Sequence, residues 1–254
     1  GGSDLLKVGL VGCGGRGTGA AEQALNADPG AELVAIGDVF EDATERTRRS
    51  LTRMFNKDGA TPRVTLTDDT CYSGFDNYLR VIEKSDVVLL ATSPHFRPQH
   101  LRAAVEAAKH SFCEKPVAVD APGVRSVMES SEMAKAKGRA LVSGLCWRYH
   151  PGKQATFEQI HSGLIGDIVS MQCSYMTGGV WDPRRTRDKC DSEMEYQIRN
   201  WYYYTWLSGD FNVEQHIHNL DLCAWAMGDQ YPVKAIGMGG REVRKGPEYG
   251  NIFD

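Results

Sequence analysis

The chain has 254 residues, of which 41% are hydrophobic and 24% are charged, and this composition is typical of a soluble globular protein. Its formal net charge of −4 excludes a broad electropositive surface of the kind that attracts nucleic acid or anionic membranes. No apolar stretch approaches the roughly 20 residues of a membrane-spanning helix, and the sequence enters a strand pattern almost at once, without a secretory signal.

Short apolar runs alternate with helical patterns over the first 145 residues. The predicted strands cover residues 5–12, 31–38, 63–66, 86–94, 111–116 and 139–145, and the predicted helices cover residues 18–27, 41–55, 100–110 and 122–137. This alternation predicts right-handed crossovers and a parallel sheet with helices on both faces. The predicted fold class is therefore α/β with a doubly wound parallel sheet, and the first domain is expected to cover residues 1–146.

Residues 147–254 have a different pattern and are expected to form a second domain. Residues 153–164 predict a helix, and residues 167–176 alternate apolar with polar side chains, which predicts a half-buried strand of an antiparallel sheet. An aromatic-rich helical region over 200–228 and a strand at 232–240 follow. We expect an α+β domain that is incomplete, because the sequence stops soon after this strand.

A glycine-rich turn follows the first predicted strand and opens a predicted helix. Gly12, Gly14 and Gly17 have the G-x-G-x-x-G spacing, so that backbone amides and the helix dipole can face a pyrophosphate. Gly12 permits the tight turn, Gly14 lets the backbone approach a phosphate, and Gly17 lets the helix lie close to the strand. The alternative is a glycine-rich turn without a ligand. The full candidate cradle consists of Gly12, Cys13, Gly14, Gly15, Arg16 and Gly17.

Asp38 ends the second predicted strand, about 20 residues after Gly17, where a carboxylate can accept hydrogen bonds from an adenosine ribose. A carboxylate at this position repels a 2′-phosphate, so the sequence predicts NAD as the cofactor and disfavours NADP. Arg46 and Arg48, a short distance downstream, argue in the other direction. The alternative interpretation of Asp38 is an ordinary turn residue at a strand end.

The segment FCEKPVAVD, residues 112–120, places Lys115 at the carboxyl edge of the predicted sheet, where such folds bind ligands. Glu114 and Lys115 project to opposite faces of an extended chain, and Pro116 biases Lys115 toward extended geometry. On composition alone, the alternative is a surface lysine whose aliphatic part covers apolar atoms.

Four segments in this order, VGLVGCGGRG, DVVLLATSPH, FCEKPVAVD and VEQHIHNLDLCAWAMGD, resemble the Gfo/Idh/MocA oxidoreductase family of glucose–fructose oxidoreductase and inositol dehydrogenase. The resemblance covers essentially the whole chain. It implies an N-terminal Rossmann domain that binds NAD and a C-terminal domain with an open, mostly antiparallel sheet. The outer face of that sheet commonly makes oligomer contacts, so a homo-oligomer is implied as well.

The resemblance also implies roles for residues of the first domain. Lys115 corresponds to the catalytic lysine of the family, and Glu114 to its cofactor-contacting glutamate. Thr92, Pro94 and His95 match the loop after the fourth strand, which lines the nicotinamide half of the site.

In the second domain, a glutamate and two histidines lie close together in the segment VEQHIH. Glu214 and His218 align with the Asp-x-x-x-His pair of the family, with glutamate in place of aspartate, and on a helix they share one face. His216 lies about 200° around that helix, so the histidines cannot converge on one metal unless the segment is unwound. We interpret Glu214 and His218 as an acid–base pair and predict no metal; the alternative is histidines that cap or pack the helix.

Four residues of the second domain are candidates for substrate binding. The resemblance places Arg148 and His150 in the segment that enters the substrate domain. In the run RNWYYYTWLSGD, Trp201 or Tyr204 can stack on a sugar face, although core packing is the alternative for aromatic residues.

The leading hypothesis is an NAD-dependent oxidoreductase that transfers hydride between nicotinamide and a hydroxyl or keto carbon of a sugar, cyclitol or sugar derivative. Lys115 and His218 remove the hydroxyl proton in this hypothesis, and Glu214 orients His218. One alternative uses the same residues but ends in redox-neutral hydrolysis of a glycoside. A second alternative is a non-catalytic sensor of NAD or sugar.

The cellular compartment is predicted from the cysteines. Seven cysteines are dispersed without a C-x-x-C pair, which indicates reduced thiols and a cytoplasmic protein. Bacterial relatives with a similarly extended middle segment often carry twin-arginine leaders, so the periplasm is the alternative. We expect a small carbohydrate as the substrate, and neither a nucleic-acid nor a membrane partner.

Overall fold

The structure, a computed structural model, describes residues 5–253. The chain divides into two units, Gly1–Ser143 and Gly144–Asp254. The division lies between Ser143 and Gly144, whereas the sequence predicted it between residues 146 and 147.

Strands and helices alternate along the first unit. The strands are β1 (Leu6–Val11), β2 (Ala31–Gly37), β3 (Cys71–Tyr72), β4 (Val87–Leu90), β5 (His110–Cys113) and β6 (Leu141–Ser143). The helices are α1 (Gly15–Ala27), α2 (Glu41–Phe55), α3 (Asn77–Lys84), α4 (Arg97–Glu106) and α5 (Ala121–Ala136). The bounds of α2 are those predicted from the sequence.

All six strands are parallel, in the order β3–β2–β1–β4–β5–β6, which confirms the predicted doubly wound sheet. Alternate residues of β1 contribute to the cores on opposite faces. Leu10 belongs to the core with Leu25 of α1, and Val11 belongs to the core with Leu101 of α4. The strand order reverses between β1 and β4, so the carboxyl ends of these strands flank the place where such sheets bind ligands.

Two elements of the first unit differ from the prediction. Residues 63–66 form no strand, and the amides of Arg63 and Val64 both donate to Asn56 Oδ1 at 3.1 Å. Only an isolated parallel bridge joins Val64 to β2, and the next strand is β3. Helix α3 was not predicted, although its buried residues Tyr78, Val81 and Ile82 have helical spacing.

The second unit contains α6 (Pro151–His161), α7 (Glu193–Arg199), α8 (Thr205–Ser208) and α9 (Ile217–Ala226). A π-helical turn, Asn212–His216, directly precedes α9. Residues 5–253 include no helix with the length and apolarity needed to cross a bilayer.

The predicted antiparallel sheet is absent from residues 144–253 of the structure. Neither 167–176 nor 232–240 belongs to a ladder of hydrogen bonds, and a single extended segment is not stable as a strand without a partner. Of the four side chains predicted to lie on the buried face of 167–176, Val169 is 96% exposed and Met171 is 45% exposed, whereas Cys173 and Tyr175 are half-buried.

Candidate functional site

Glycines bring β1, β4 and α1 into contact at the carboxyl edge of the sheet. Gly12 has a φ of +98°, and a Cβ at this residue would lie 2.5 Å from the Thr92 amide nitrogen. A Cβ on Gly17 would lie 1.7 Å from the Gly12 carbonyl oxygen. Both positions therefore require glycine, for the turn and for the close approach of the helix to the strand.

The other glycines of this loop border open space. Gly14 precedes α1 without a side-chain capping bond, and Gly14, Gly15 and Arg16 are exposed. A Cβ on Gly14 or Gly15 would meet no atom within 4 Å. Amides of the first helical turn lack carbonyl partners within the helix, and they lie at the positive end of the helix dipole. This arrangement fits a phosphate or pyrophosphate group.

Asp38 connects the glycine-rich loop to the end of β2. Its Oδ2 accepts a hydrogen bond from the Cys13 amide at 2.7 Å, and its Oδ1 accepts one from the Phe40 amide at 3.0 Å. Thr47 Oγ1 donates to the Cys13 carbonyl oxygen at 3.0 Å. Burial, reinforced by the charge of Asp38, raises the pKa of the Cys13 thiol well above its ordinary value. Asp38 therefore shapes the loop, a role that the sequence did not indicate, and Cys13 is a neutral buried side chain.

The two arginines that argued for NADP have carboxylate partners on the surface. Arg46 pairs with Asp42, one turn earlier in α2, and Arg48 pairs with Asp68. These ion pairs favour the prediction of NAD.

The loop after β4 leads into α4 through a 3-10 turn that begins at Pro94. Pro94 is buried and His95 is exposed. Thr92 Oγ1 lies 3.4 Å from His100 Nδ1. Burial, with a further contribution from the charge of Arg97, lowers the pKa of His100 to about 4, so this imidazole is neutral near pH 7.

Glu114 connects the glycine-rich loop to Lys115. The Glu114 side chain is 6% exposed, and its Oε1 accepts a hydrogen bond from Arg16 Nε. Its Oε2 accepts a hydrogen bond from the Lys115 amide at 3.1 Å. The Lys115–Pro116 peptide bond is cis. An ion pair thus joins the phosphate-binding loop to the segment that carries the candidate catalytic lysine.

Arg97 belongs to the same neighbourhood, although no sequence signal marked it. It is 4% exposed, and its Nη1 donates to the carbonyl oxygens of Glu114 at 3.0 Å and Pro116 at 2.6 Å. Arginine side chains are mostly exposed, so an arginine at the start of a helix gives no indication of burial in the sequence. Only the tertiary contacts show where this guanidinium lies.

In the second unit, Glu214 and His218 lie on either side of the junction between the π-helical turn and α9. Glu214 is buried within the turn, and the His218 ring stacks on Trp147 with centroids 4.9 Å apart. A π-helical turn is wider than an α-helical turn, so the regular helix assumed for this pair is wrong at Glu214.

His216 contacts a different part of the second unit. Its Nε2 lies 3.4 Å from Cys173 Sγ. Across the described part of the chain, no group of three or more histidine, cysteine, aspartate or glutamate side chains is arranged to hold a metal ion.

Arg148 is bound to two carboxylates. Its Nε and Nη2 donate to Asp221 at 2.8–3.0 Å, and Nη2 also donates to Asp229 at 2.6 Å. The hydrogen bonds to Asp221 and then to Asp229 raise the pKa of the guanidinium above its ordinary value. His150 Nδ1 accepts a hydrogen bond from the Lys153 amide at 3.4 Å and caps α6. These partners support structural roles, and substrate contact by Arg148 or His150 stays a prediction.

The two aromatic candidates have partners within the second unit. Tyr204 is 7% exposed, its hydroxyl accepts a hydrogen bond from Arg187 Nη2 at 3.2 Å, and burial raises its pKa to about 12. Trp201 is half-buried, with its ring 6.2 Å from that of Trp181. Both observations favour core packing, which was the alternative to stacking on a sugar.

In the first unit, four features lie on the carboxyl side of one sheet: the glycine-rich loop, Asp38, the loop that follows β4, and Lys115. This is the arrangement of a dinucleotide-binding fold. A family model described as an oxidoreductase family with an NAD-binding Rossmann fold, GFO_IDH_MocA, matches residues 6–145, more than half of the chain. The chain belongs to the Gfo/Idh/MocA family. This membership confirms the resemblance drawn from the four sequence segments.

The relatives that this chain resembles differ in their described activities. An inositol 2-dehydrogenase from Cereibacter sphaeroides is 26% identical over 227 residues, which cover 89% of this chain and 55% of that protein. A glycosyl hydrolase family 109 protein from Streptomyces coelicolor is 28% identical over 174 residues, 67% of this chain and 34% of that protein. The chain spans about half the length of the curated relatives it matches.

A solved structure extends the comparison to the fold. The aldose-aldose oxidoreductase from Caulobacter crescentus, complexed with glycerol, aligns with a TM-score of 0.67 and 17% identity. The alignment covers 98% of this chain and 65% of that chain. At this identity, the likeness concerns the fold alone.

Proposed function

We propose that this protein is an NAD-dependent oxidoreductase that transfers hydride between nicotinamide and a hydroxyl or keto carbon of a sugar, cyclitol or sugar derivative. One observation carries the proposal: Glu114 binds both Arg16 of the glycine-rich loop and the amide of Lys115. The glycine-rich loop and the backbone of the candidate base are therefore parts of one hydrogen-bonded unit. Family membership and the inositol 2-dehydrogenase relative support the same class of reaction.

The candidate site residues of the first unit have separate tasks in this proposal. Amides of Gly14–Gly17 hold the pyrophosphate, and Asp38 accepts hydrogen bonds from the adenosine ribose while it shapes the loop. Lys115 Nζ removes the proton of the substrate hydroxyl. NAD, when bound, supplies the acceptor for the hydride.

The tasks of Glu214 and His218 are proposed separately, on the family pattern. His218 Nδ1 or Nε2 takes part in proton transfer, and the buried Glu214 orients the imidazole. The stacking of His218 on Trp147 restricts the plane of the ring, which supports a role that depends on orientation. We assign cofactor binding to the first unit and substrate binding to the second.

A redox-neutral glycoside hydrolase is the second candidate, and the glycosyl hydrolase family 109 relative supports it. Lys115, His218 and Glu214 serve that reaction equally well, because it also begins with removal of a hydroxyl proton. A non-catalytic sensor is less well supported, since Lys115 and His218 are both present.

A single assay separates these candidates. The protein is mixed with NAD and a panel of free cyclitols, free aldoses and chromogenic glycosides, and reduced nicotinamide and released aglycone are recorded together. Stoichiometric reduced nicotinamide from a free polyol supports the dehydrogenase. Aglycone release without net reduction supports the hydrolase, and NAD binding without either signal supports the sensor. Failure to bind NAD by calorimetry contradicts the dehydrogenase, the hydrolase and an NAD sensor, and NADP serves as the comparison cofactor.

Assembly is also a proposal. The prediction of a homo-oligomer depended on a sheet in the second domain, and residues 144–253 contain no strand in the structure. The family pattern is therefore its remaining support. Light scattering of the protein at several concentrations measures the oligomeric state, and a concentration-independent monomer contradicts the prediction.

A further inference from the structure

Arg97 is a buried cation that donates hydrogen bonds to two main-chain carbonyl groups. It begins α4, and it is 4% exposed. A buried guanidinium requires good hydrogen bonds, because removal of a charge from water is strongly unfavourable without them. Its Nη1 donates to the carbonyl oxygens of Glu114 at 3.0 Å and Pro116 at 2.6 Å.

These two carbonyl groups flank one residue, Lys115. The Lys115 amide donates to Glu114 Oε2 at 3.1 Å, and the Glu114 amide donates to the Leu90 carbonyl oxygen of β4 at 2.9 Å. The main chain is therefore held on both sides of Lys115 and at its own amide.

We propose that Arg97 is a positioning residue for Lys115, acting through the two carbonyl groups that flank it. This inference rests on the proposed function, because it assigns Arg97 to the reaction in which Lys115 moves a proton. A displacement of about 1 Å at a reacting group can cost about 100-fold in rate. Hydrogen bonds that fix the backbone of Lys115 therefore affect turnover directly. Arg97 touches neither the hydride nor the hydroxyl in this role.

The test is Arg97→Lys, with Arg102→Lys as the matched control on the same helix. Lysine retains the buried charge but lacks the fork of a guanidinium, so it cannot hold both carbonyl groups in the same geometry. Arg102 pairs with Glu106 and Glu129 on the surface, so its replacement leaves turnover unchanged. For R97K we expect kcat to fall about tenfold, with the KM for NAD within about twofold of the wild type.

A double variant shows whether Arg97 acts through the lysine. R97K added to Lys115→Met lowers turnover no further than Lys115→Met alone, because the group to be positioned is gone. In Arg97→Ala, millimolar guanidinium is expected to restore part of the lost kcat, and this second variant decides the question if R97K does not fold. An additional loss in the double variant, or no rescue of Arg97→Ala, overturns the proposal.

Hydrogen exchange gives a readout that does not require activity. We expect amide hydrogens of residues 111–119 to exchange faster in R97K than in the wild type, whereas the exchange rates of β1 stay the same. If the wild type turns over no substrate but R97K still speeds exchange in residues 111–119, the proposed function fails. The conclusion that Arg97 holds the backbone beside Lys115 then still stands. If R97K matches the wild type in both exchange and kcat, Arg97 does not hold this backbone and the inference is wrong.

Discussion

The two units differ in what holds their candidate functional residues. In the first unit, main-chain groups take part in nearly every contact: Asp38 accepts from two amides, and Lys115 donates its amide to Glu114. In the second unit, Arg148 and Tyr204 are held by side chains, since Arg148 binds Asp221 and Tyr204 binds Arg187. Any residue except proline can supply a backbone amide, whereas a side-chain pair depends on the identity of both residues. The following experiments test how far this difference extends to function.

The largest expected effect compares one reactive residue from each unit. Lys115→Met removes the amine at similar volume, and we expect kcat to fall by at least about 1000-fold, with the Kd for NAD within about threefold. His218→Asn removes a proton-transfer group and is expected to lower kcat by about 100-fold. Steady-state kinetics and calorimetry measure the two quantities. Turnover above half of the wild-type value in either variant removes that residue from the mechanism.

Two alanine substitutions within the glycine-rich loop separate folding from cofactor binding. Gly17→Ala places a Cβ 1.7 Å from the Gly12 carbonyl oxygen, so we expect a loss of about 3 kcal/mol or more in the free energy of unfolding. Gly14→Ala meets no atom within 4 Å, so stability is retained while the Kd for NAD rises about tenfold. Urea unfolding and calorimetry give both values. Equal stability for the two variants contradicts the close approach of α1 to β1.

His100 makes the stability of the first unit sensitive to acid. The unfolded chain binds a proton below about pH 6.5, and the folded chain excludes it until about pH 4. Stability therefore falls as the pH drops from 6.5 to 4, by about 3 kcal/mol in all, and this contribution is constant above pH 6.5. Urea titrations of the wild type and His100→Gln across this interval measure the difference. The variant should lose less stability, and parallel curves for the two proteins rule out a buried neutral His100.

The smallest expected effect concerns Arg148 in the second unit. Arg148→Met leaves the buried Asp221 without its bidentate partner, and we expect the free energy of unfolding to fall by about 2 kcal/mol. Arg102→Met, on the surface of the first unit, should leave the free energy of unfolding nearly unchanged, because its ion pairs are solvent-exposed. Urea unfolding of the two variants gives the comparison. A stable R148M with a raised KM for substrate would instead support the substrate contact predicted from the sequence.

Sequence patterns predicted the first unit more accurately than the second because their information is local. The β1–α1 turn requires glycine at Gly12 and Gly17, and the apolar runs of β1 and β4 require helices on both faces. The pattern at 167–176 predicts a strand equally well, but a strand needs a partner. Residues 144–253 contain no strand to pair with it in the structure.

The sequence by itself determined the parallel sheet and the glycine-rich turn between β1 and α1, because each depends on residues close together in the chain. Only the tertiary structure decided that Asp38 shapes the loop and that Glu114 links the loop to Lys115. It alone decided that Arg97 clamps the carbonyl groups beside Lys115. The physical reason is that a buried polar group must find hydrogen-bond partners, and the fold determines which distant groups are within reach.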